Sequence, residues 1–280
     1  PAAKGHSTLK THHLLGKEQQ LFEALRKFKS LYVAFSGGVD STYLLYAAHL
    51  ILGDQVVAAT AVSPIHPAKE TAAAKAFAQA NGICQIMVHT DPLSSSEFLK
   101  NSKDRCYVCK KQMLAASFKE AEKMGIQHVA HGVNLDDQGD YRPGLQAARE
   151  MGVLAPLADA GLTKQDVRDL SQRAGLAAWN KPASGCLATR IPYGIKINQA
   201  VLALVESAEK TLTEAGFFEC RVRYHGDLAK IEIPPDEFER LAAPDVRAKI
   251  VHQIRQIGFL YVALDLEGYQ SGRLNRPISK

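Results

Sequence analysis

Residues 32–52, YVAFSGGVDSTYLLYAAHLIL, set two adjacent glycines between a short apolar run and a longer helix-like one. LYVAF (31–35) is short and partly β-branched or aromatic, which suits a strand buried in a parallel sheet. STYLLYAAHLILG (41–53) carries helix formers and ends on Gly53, a fitting C-cap. VVAATAV (56–62) reads as the next strand. A strand–turn–helix–strand unit puts the glycines at the carboxyl end of the first strand, the edge where open parallel sheets bind ligands.

Gly37 and Gly38 let successive amides converge on an anion, and Ser41 and Thr42 add hydroxyls at the helix start. The helix dipole turns its positive end to the same point. A glycine turn with a Ser or Asp cap is the plainer alternative. It accounts for the composition but not for the placement between strand and helix, so the expected ligand is a phosphate. No G-x-x-x-x-G-K-S/T pattern is present, so the lysine that P-loop enzymes place on the terminal phosphates is missing from the loop. SGGVDST (36–42) resembles the pyrophosphate-binding loop of the ATP pyrophosphatase superfamily. The resemblance implies that Ser36, Gly37, Gly38, Ser41 and Thr42 hold the phosphates of ATP. It also implies that Asp40 orients Mg2+, an ion that takes one or two carboxylates along with phosphate oxygens.

The 280 residues are long enough for two domains, and a charged fraction of 22% without like-charge blocks argues against disorder. A net charge of +5 favours anionic ligands but is too mild to argue for nucleic acid. The longest clean apolar run falls far short of the ~20 residues of a membrane span, and PAAKGHSTLK at the start has no export pattern. Five cysteines, an odd number, fit a reducing cytoplasm better than a disulfide framework.

Beyond the loop, helix-like and apolar stretches alternate. KEQQLFEALRKF (17–28) precedes the first strand, PAKETAAAKAFAQANG (67–82) leads to ICQIMV (83–88), and KKQMLAASFKEAEKMG (110–125) leads to IQHVAHGV (126–133). LTKQDVRDLSQRAG (162–175) reads as a helix capped by Thr163 with Asp166 three residues on. The fold class expected is α/β, a doubly wound, Rossmann-like parallel sheet of the ATP-pyrophosphatase kind over 1–195. NKPASGCLATRIPYG (180–194) is expected to be a functional loop near its boundary. Helix (198–216), hairpin around HGD (219–234), helix (235–258) and strand (259–266) then suggest a smaller C-terminal α+β domain over 196–280.

Cys84 and Cys220 lie among apolar positions and are expected to be buried. Cys106 and Cys109 form a CxxC pair, a pattern shared by redox, zinc and iron–sulfur sites. The polar stretch before them, SSSEFLKNSKDR, weakens the redox reading, which wants a strand followed by a helix start. Cys186 has small neighbours and Arg190 four residues on, which favours an accessible, thiolate-leaning sulfur.

DRCYVCKKQM, GVNLDDQGDYRPG, NKPASGCLATRIPYG, RVRYHGDLAKIEI and LDLEGYQSGRLN follow SGGVDST in the order seen in the LarE family. The resemblance covers nearly the whole chain. It implies an ATP-dependent sulfur transferase that adenylylates the carboxylates of pyridinium-3,5-biscarboxylic acid mononucleotide and converts them to thiocarboxylates for nickel-pincer cofactor synthesis. Some members sacrifice the cysteine at the place of Cys186. Others hold a 4Fe-4S cluster on three cysteines, here Cys106, Cys109 and Cys186. It implies a homo-oligomer and a small nucleotide substrate, with no membrane or nucleic-acid partner. Arg190, Arg221 and Arg223 are the expected substrate-binding cations. Positions 221 and 223 share one side of a strand, and guanidinium groups match phosphate and carboxylate. Asp136 is a second candidate for magnesium, with Asp137 and Asp140 beside it. Two rivals stay open: a tRNA thiolase of the same superfamily, and a non-enzymatic adenine-nucleotide-binding protein with a structural metal.

Overall fold

The computed structural model describes residues 2–139, 143–182, 184–270 and 274. In chain order the helices and strands begin with α1 (Ala2–Leu25), β1 (Leu31–Ala34), α2 (Val39–Leu52), β2 (Val56–Val62), α3 (Ala68–Ala80) and β3 (Cys84–His89). They continue with α4 (Ser96–Leu99), α5 (Arg105–Lys123), β4 (Val129–His131), α6 (Pro143–Glu150), α7 (Pro156–Asp159) and α8 (Lys164–Arg173). The last are α9 (Gln199–Glu214), β5 (Arg221–His225), β6 (Leu228–Glu232), α10 (Phe238–Ala242), α11 (Pro244–Ile257) and β7 (Tyr261–Leu264). The chain divides into two compact units. One comprises Pro1–Ser63, Ala68–Thr90 and Cys106–Lys181; the other comprises Pro64–Pro67, Asp91–Arg105 and Pro182–Lys280.

The first unit holds a parallel sheet in the order β3-β2-β1-β4. Strand alternation gives it two apolar faces. Leu31, Val33, Val56, Ala58 and Ala130 join a core with Leu21 and Leu25 of α1, Leu44 and Ala48 of α2, and Val167 and Leu170 of α8. Tyr32, Val57, Ala59, Val88 and Val129 face the other way, onto Leu114 and Ala121 of α5 and Ala148 of α6. Helices cover both faces, as the sequence led us to expect. The chain steps outward from β1 to β3 and then returns to place β4 on the other side of β1. That reversal makes β1 and β4 the switch point of the sheet, and such sheets place their ligand crevice at the carboxyl ends of the strands there.

α8 starts as expected: Thr163 accepts from the Asp166 amide while the Asp166 carboxylate accepts from the Thr163 amide, a complete capping box. Two local expectations fail. Cys84 is exposed, because β3 is an edge strand and its first residue is uncovered. The helix expected from Lys110 starts at Arg105, so both CxxC cysteines lie within its opening turns. What precedes α5 is the short α4 and a turn at Asn101 (φ +54°), not a strand.

In the second unit β5 and β6 form the antiparallel hairpin and β7 adds parallel to β6. Val222, Ala229 and Ile231 pack with Ala208 and Leu212 of α9 and Ile250 and Ile254 of α11. Cys220 lies in this core at 1% exposure, as expected. Arg221 and Arg223 alternate with Val222 and so occupy the opposite face of the hairpin. Among the described residues no helix is long and apolar enough to cross a membrane.

Candidate functional site

The glycine loop sits where β1 ends. Gly37 has φ +71°, a conformation that side chains resist, and it is buried with Ala74 close by. Gly38 is the N-cap of α2 and no side chain caps the helix there. First-turn amides without a side-chain cap, at the positive end of a 14-residue helix, are an arrangement suited to an anion. The Ser41 hydroxyl donates to the Gly38 carbonyl (3.1 Å) and accepts from the Ser36 amide (3.3 Å), closing the loop on itself. Ser41 and Thr42 are buried and Ser36 is exposed.

Two lysines that the sequence reading missed reach this loop. The Lys181 ammonium donates to the Gly37 carbonyl (3.0 Å) and pairs with Glu70 (2.6 Å). In a trans peptide, C=O and N–H point oppositely, so holding that carbonyl turns the Gly38 amide to the other side. Lys164, the first residue of α8, pairs through its ammonium with Asp40 Oδ2. The other carboxylate oxygen of Asp40 accepts from Asn134 Nδ2 at 3.1 Å. Asn134 follows the carboxyl end of β4, so both sides of the crevice meet on Asp40. Asp136 accepts from the Lys164 amide (2.8 Å), and Asp137 accepts from the Asn134 amide (3.2 Å). Asp136 thus lies one residue contact away from Asp40, bound to backbone. Asp140 lies outside the described residues.

Gly132 explains how β4 can come so close. A Cβ there would stand 2.6 Å from the Ser41 nitrogen and 2.8 Å from the Asp40 carbonyl carbon. Both are backbone atoms, so only movement of the loop would relieve the clash. Gly132→Ala is therefore expected to cost about 1–3 kcal/mol in stability, the usual range for overpacking, and to weaken pyrophosphate binding. Gly16→Ala, at an exposed helical site with nothing near its Cβ, is the control and should be neutral or slightly stabilising. Denaturant midpoints and calorimetric titration read both. An unchanged midpoint and affinity in Gly132→Ala would refute the close approach.

Cys106 and Cys109 are three residues apart on α5 and so share one helix face. Both are half-buried, and none of the five cysteines is in a disulfide. Burial pushes the Lys110 ammonium down, with the neighbouring Cys109 opposing. His131, at the end of β4, is pushed down to about 3 by burial and then by Lys110 and Arg149, so it is neutral at pH 7. Two soft thiols on one helix face suit an iron–sulfur centre by donor chemistry, and Cys186 is a third such thiol, half-buried, in the other unit. Within each unit, no three His, Cys, Asp or Glu among the described residues are grouped as a metal centre requires.

Cys186 caps a single 3-10 turn, Leu187–Arg190. Its carbonyl accepts from the Thr189 hydroxyl (2.7 Å) and from Arg190 Nη1 (3.1 Å), which also binds the Gly185 carbonyl (2.8 Å). The rest of the Arg190 guanidinium is held by Glu209 at 2.8 and 3.0 Å, and Arg190 is 1% exposed. Burial opposes its charge, but Glu209 more than offsets this and the net shift is upward. Breaking such a buried pair costs about 3–5 kcal/mol. Arg190, expected among the substrate-binding cations, therefore shapes the Cys186 loop in this structure. Glu209 left a trace in the sequence: it lies four residues after Val205 and three before Leu212, a charge within the apolar stripe of α9.

Arg223 pairs with the buried Glu232 (2.9 Å) and donates to the Thr189 carbonyl (2.6 Å), tying the hairpin to the Cys186 turn. Arg221 stacks on Tyr269 with 5.0 Å to the ring centre and donates to the Cys220 carbonyl (2.9 Å). Burial lowers the Arg221 pKa, and the nearby positive Arg190 lowers it further. The second unit thus brings Cys186, Arg190, Arg221 and Arg223 into one neighbourhood.

No family model matches the chain. A protein of Lactiplantibacillus plantarum named pyridinium-3,5-bisthiocarboxylic acid mononucleotide synthase is 37% identical over 268 residues, 95% of this chain and 96% of that one. The chain belongs to that enzyme's family, the LarE family. An uncharacterized Synechocystis protein is 43% identical over 89% of this chain and 92% of its own. A further relative of the LarE-family chain, from Methanocaldococcus jannaschii, is 28% identical over 88% of it and 92% of that protein.

Proposed function

We propose that the protein is an ATP-dependent, AMP- and pyrophosphate-forming sulfur transferase acting on pyridinium-3,5-biscarboxylic acid mononucleotide. What carries the reading is the match to the Lactiplantibacillus enzyme along nearly the full length of both chains. The loop geometry supports it. Amides at the start of α2, with Ser36, Gly37, Gly38, Ser41 and Thr42, would hold the pyrophosphate portion of ATP, and Asp40 would bind magnesium. Asp136 is the second magnesium candidate.

A carboxylate is a poor electrophile. Its oxygen first attacks the α-phosphorus of ATP and pyrophosphate leaves, giving an acyl adenylate. A sulfur nucleophile then attacks the acyl carbon and AMP leaves, so that sulfur replaces one oxygen. Arg221 and Arg223 suit the phosphate and carboxylates of the substrate, while Arg190 and Glu209 hold the Cys186 turn in place. A 4Fe-4S cluster on Cys106, Cys109 and Cys186 would leave one iron open to the hydrosulfide that is transferred. The family resemblance adds a cytoplasmic homo-oligomer to this reading.

The test incubates the protein with ATP, magnesium, a sulfide source and the biscarboxylic mononucleotide. Substrate-dependent AMP and pyrophosphate, with sulfur gained and oxygen lost in the product mass, is the expected result. Orthophosphate as the product, or AMP formation that requires tRNA instead, would overturn it.

A further inference from the structure

The phosphate site lacks a lysine in its own loop, and the structure supplies one from elsewhere. We propose that Lys164 is the phosphate cation of this loop and that it changes partner on nucleotide binding. It leaves Asp40, which turns to magnesium, and takes a phosphate oxygen instead. The inference rests on the phosphate-loop reading above.

Three observations carry it. First, both oxygens of the Asp40 carboxylate are engaged, Oδ2 by the Lys164 ammonium and Oδ1 by Asn134. A magnesium ion arriving at Asp40 would meet an ammonium already there, and two cations do not share one carboxylate oxygen without repulsion. Second, the base of Lys164 is fixed while its tip is not. Its amide is bound to Asp136 (2.8 Å) and the Thr163 capping box anchors the helix start, whereas its side chain is 36% exposed. A flexible stem with a compact charge on a fixed root can swing without moving the fold. Third, the other lysine at the loop is poorly placed for this task. Lys181 is held by Glu70 and the Gly37 carbonyl and braces the loop from outside.

The test compares the full-length wild type with Lys164→Met and Lys164→Gln, using two probes. One is pyrophosphate with magnesium; the other is Mn2+ alone, standing in for magnesium. Losing one charge-assisted contact should weaken pyrophosphate binding about ten- to hundredfold. Mn2+ alone should bind severalfold tighter, because its competitor for Asp40 is gone. Opposite shifts are the signature of exchange. Loss of both affinities would make Lys164 a structural prop for Asp40 and overturn the proposal, as would unchanged affinities. A wild-type complex with magnesium pyrophosphate in which the ammonium still rests on Asp40 overturns it without any variant. If the wild type itself fails to bind magnesium pyrophosphate, the phosphate-loop reading falls, which is a separate result.

Discussion

Asp40→Ala is expected to reduce magnesium-dependent pyrophosphate release by roughly 10²–10³-fold or more, the scale on which removal of one preorganised electrostatic group acts. The fold should survive. Asp40 is the acidic residue in the first turn of α2, where a carboxylate gains about 0.3–1 kcal/mol from the helix dipole. Its pair with Lys164 is partly exposed, and such pairs contribute about 0–1 kcal/mol. The thermal midpoint should therefore fall by only a few degrees while turnover is lost. Asp40→Asn sharpens the result, because an amide can still accept from Asn134 but offers magnesium no charge. A coupled pyrophosphate assay with a melting curve on each variant decides the matter. Wild-type release from either variant would remove the metal role of Asp40.

The elements that set up this loop were legible because their signals are local. The apolar run at 31–35, the glycines, the helix after them and VVAATAV at 56–62 each announce themselves within a few residues, and β2 spans Val56–Val62 as read. The capping box at Thr163 and Asp166 was visible for the same reason. Gly132, Asn134, Lys164 and Lys181 were not legible as site residues. Each lies at least 90 positions from the loop it serves, and only the strand order β3-β2-β1-β4 brings β4 beside β1. Nothing within a window around Lys164 says that its ammonium reaches Asp40. For Arg190, spacing shows a guanidinium near a cysteine but not the carboxylate opposite it. Glu209, which claims that guanidinium, was readable only as a misfit in an apolar stripe. The helix read from Lys110 begins five residues earlier, at Arg105, and includes both CxxC cysteines.

Replacing Cys106, Cys109 or Cys186 singly by alanine is expected to abolish multiple-turnover sulfur transfer, while pyrophosphate release in a single round persists. The two half-reactions draw on different residues. In the proposed mechanism adenylylation draws on the loop, Asp40 and the substrate carboxylate, whereas replacement of AMP needs sulfur delivered as an anion near the acyl carbon. Cys84 is exposed on an edge strand and should be replaceable at no cost. Cys220 sits in the core of the second unit, so Cys220→Ala should lower stability modestly and leave transfer intact. Iron and acid-labile sulfide, measured on anaerobically purified protein, supply a readout besides activity: all three single variants should lose both, and the Cys84 and Cys220 variants should keep them. Full transfer by Cys106→Ala and Cys109→Ala, with Cys186→Ala inactive, would sink the shared-cluster reading. Sulfur would then come from Cys186 itself in one turnover. The spent protein would be lighter by one molecule of hydrogen sulfide, with dehydroalanine at position 186, and intact-protein mass spectrometry separates that outcome from catalysis.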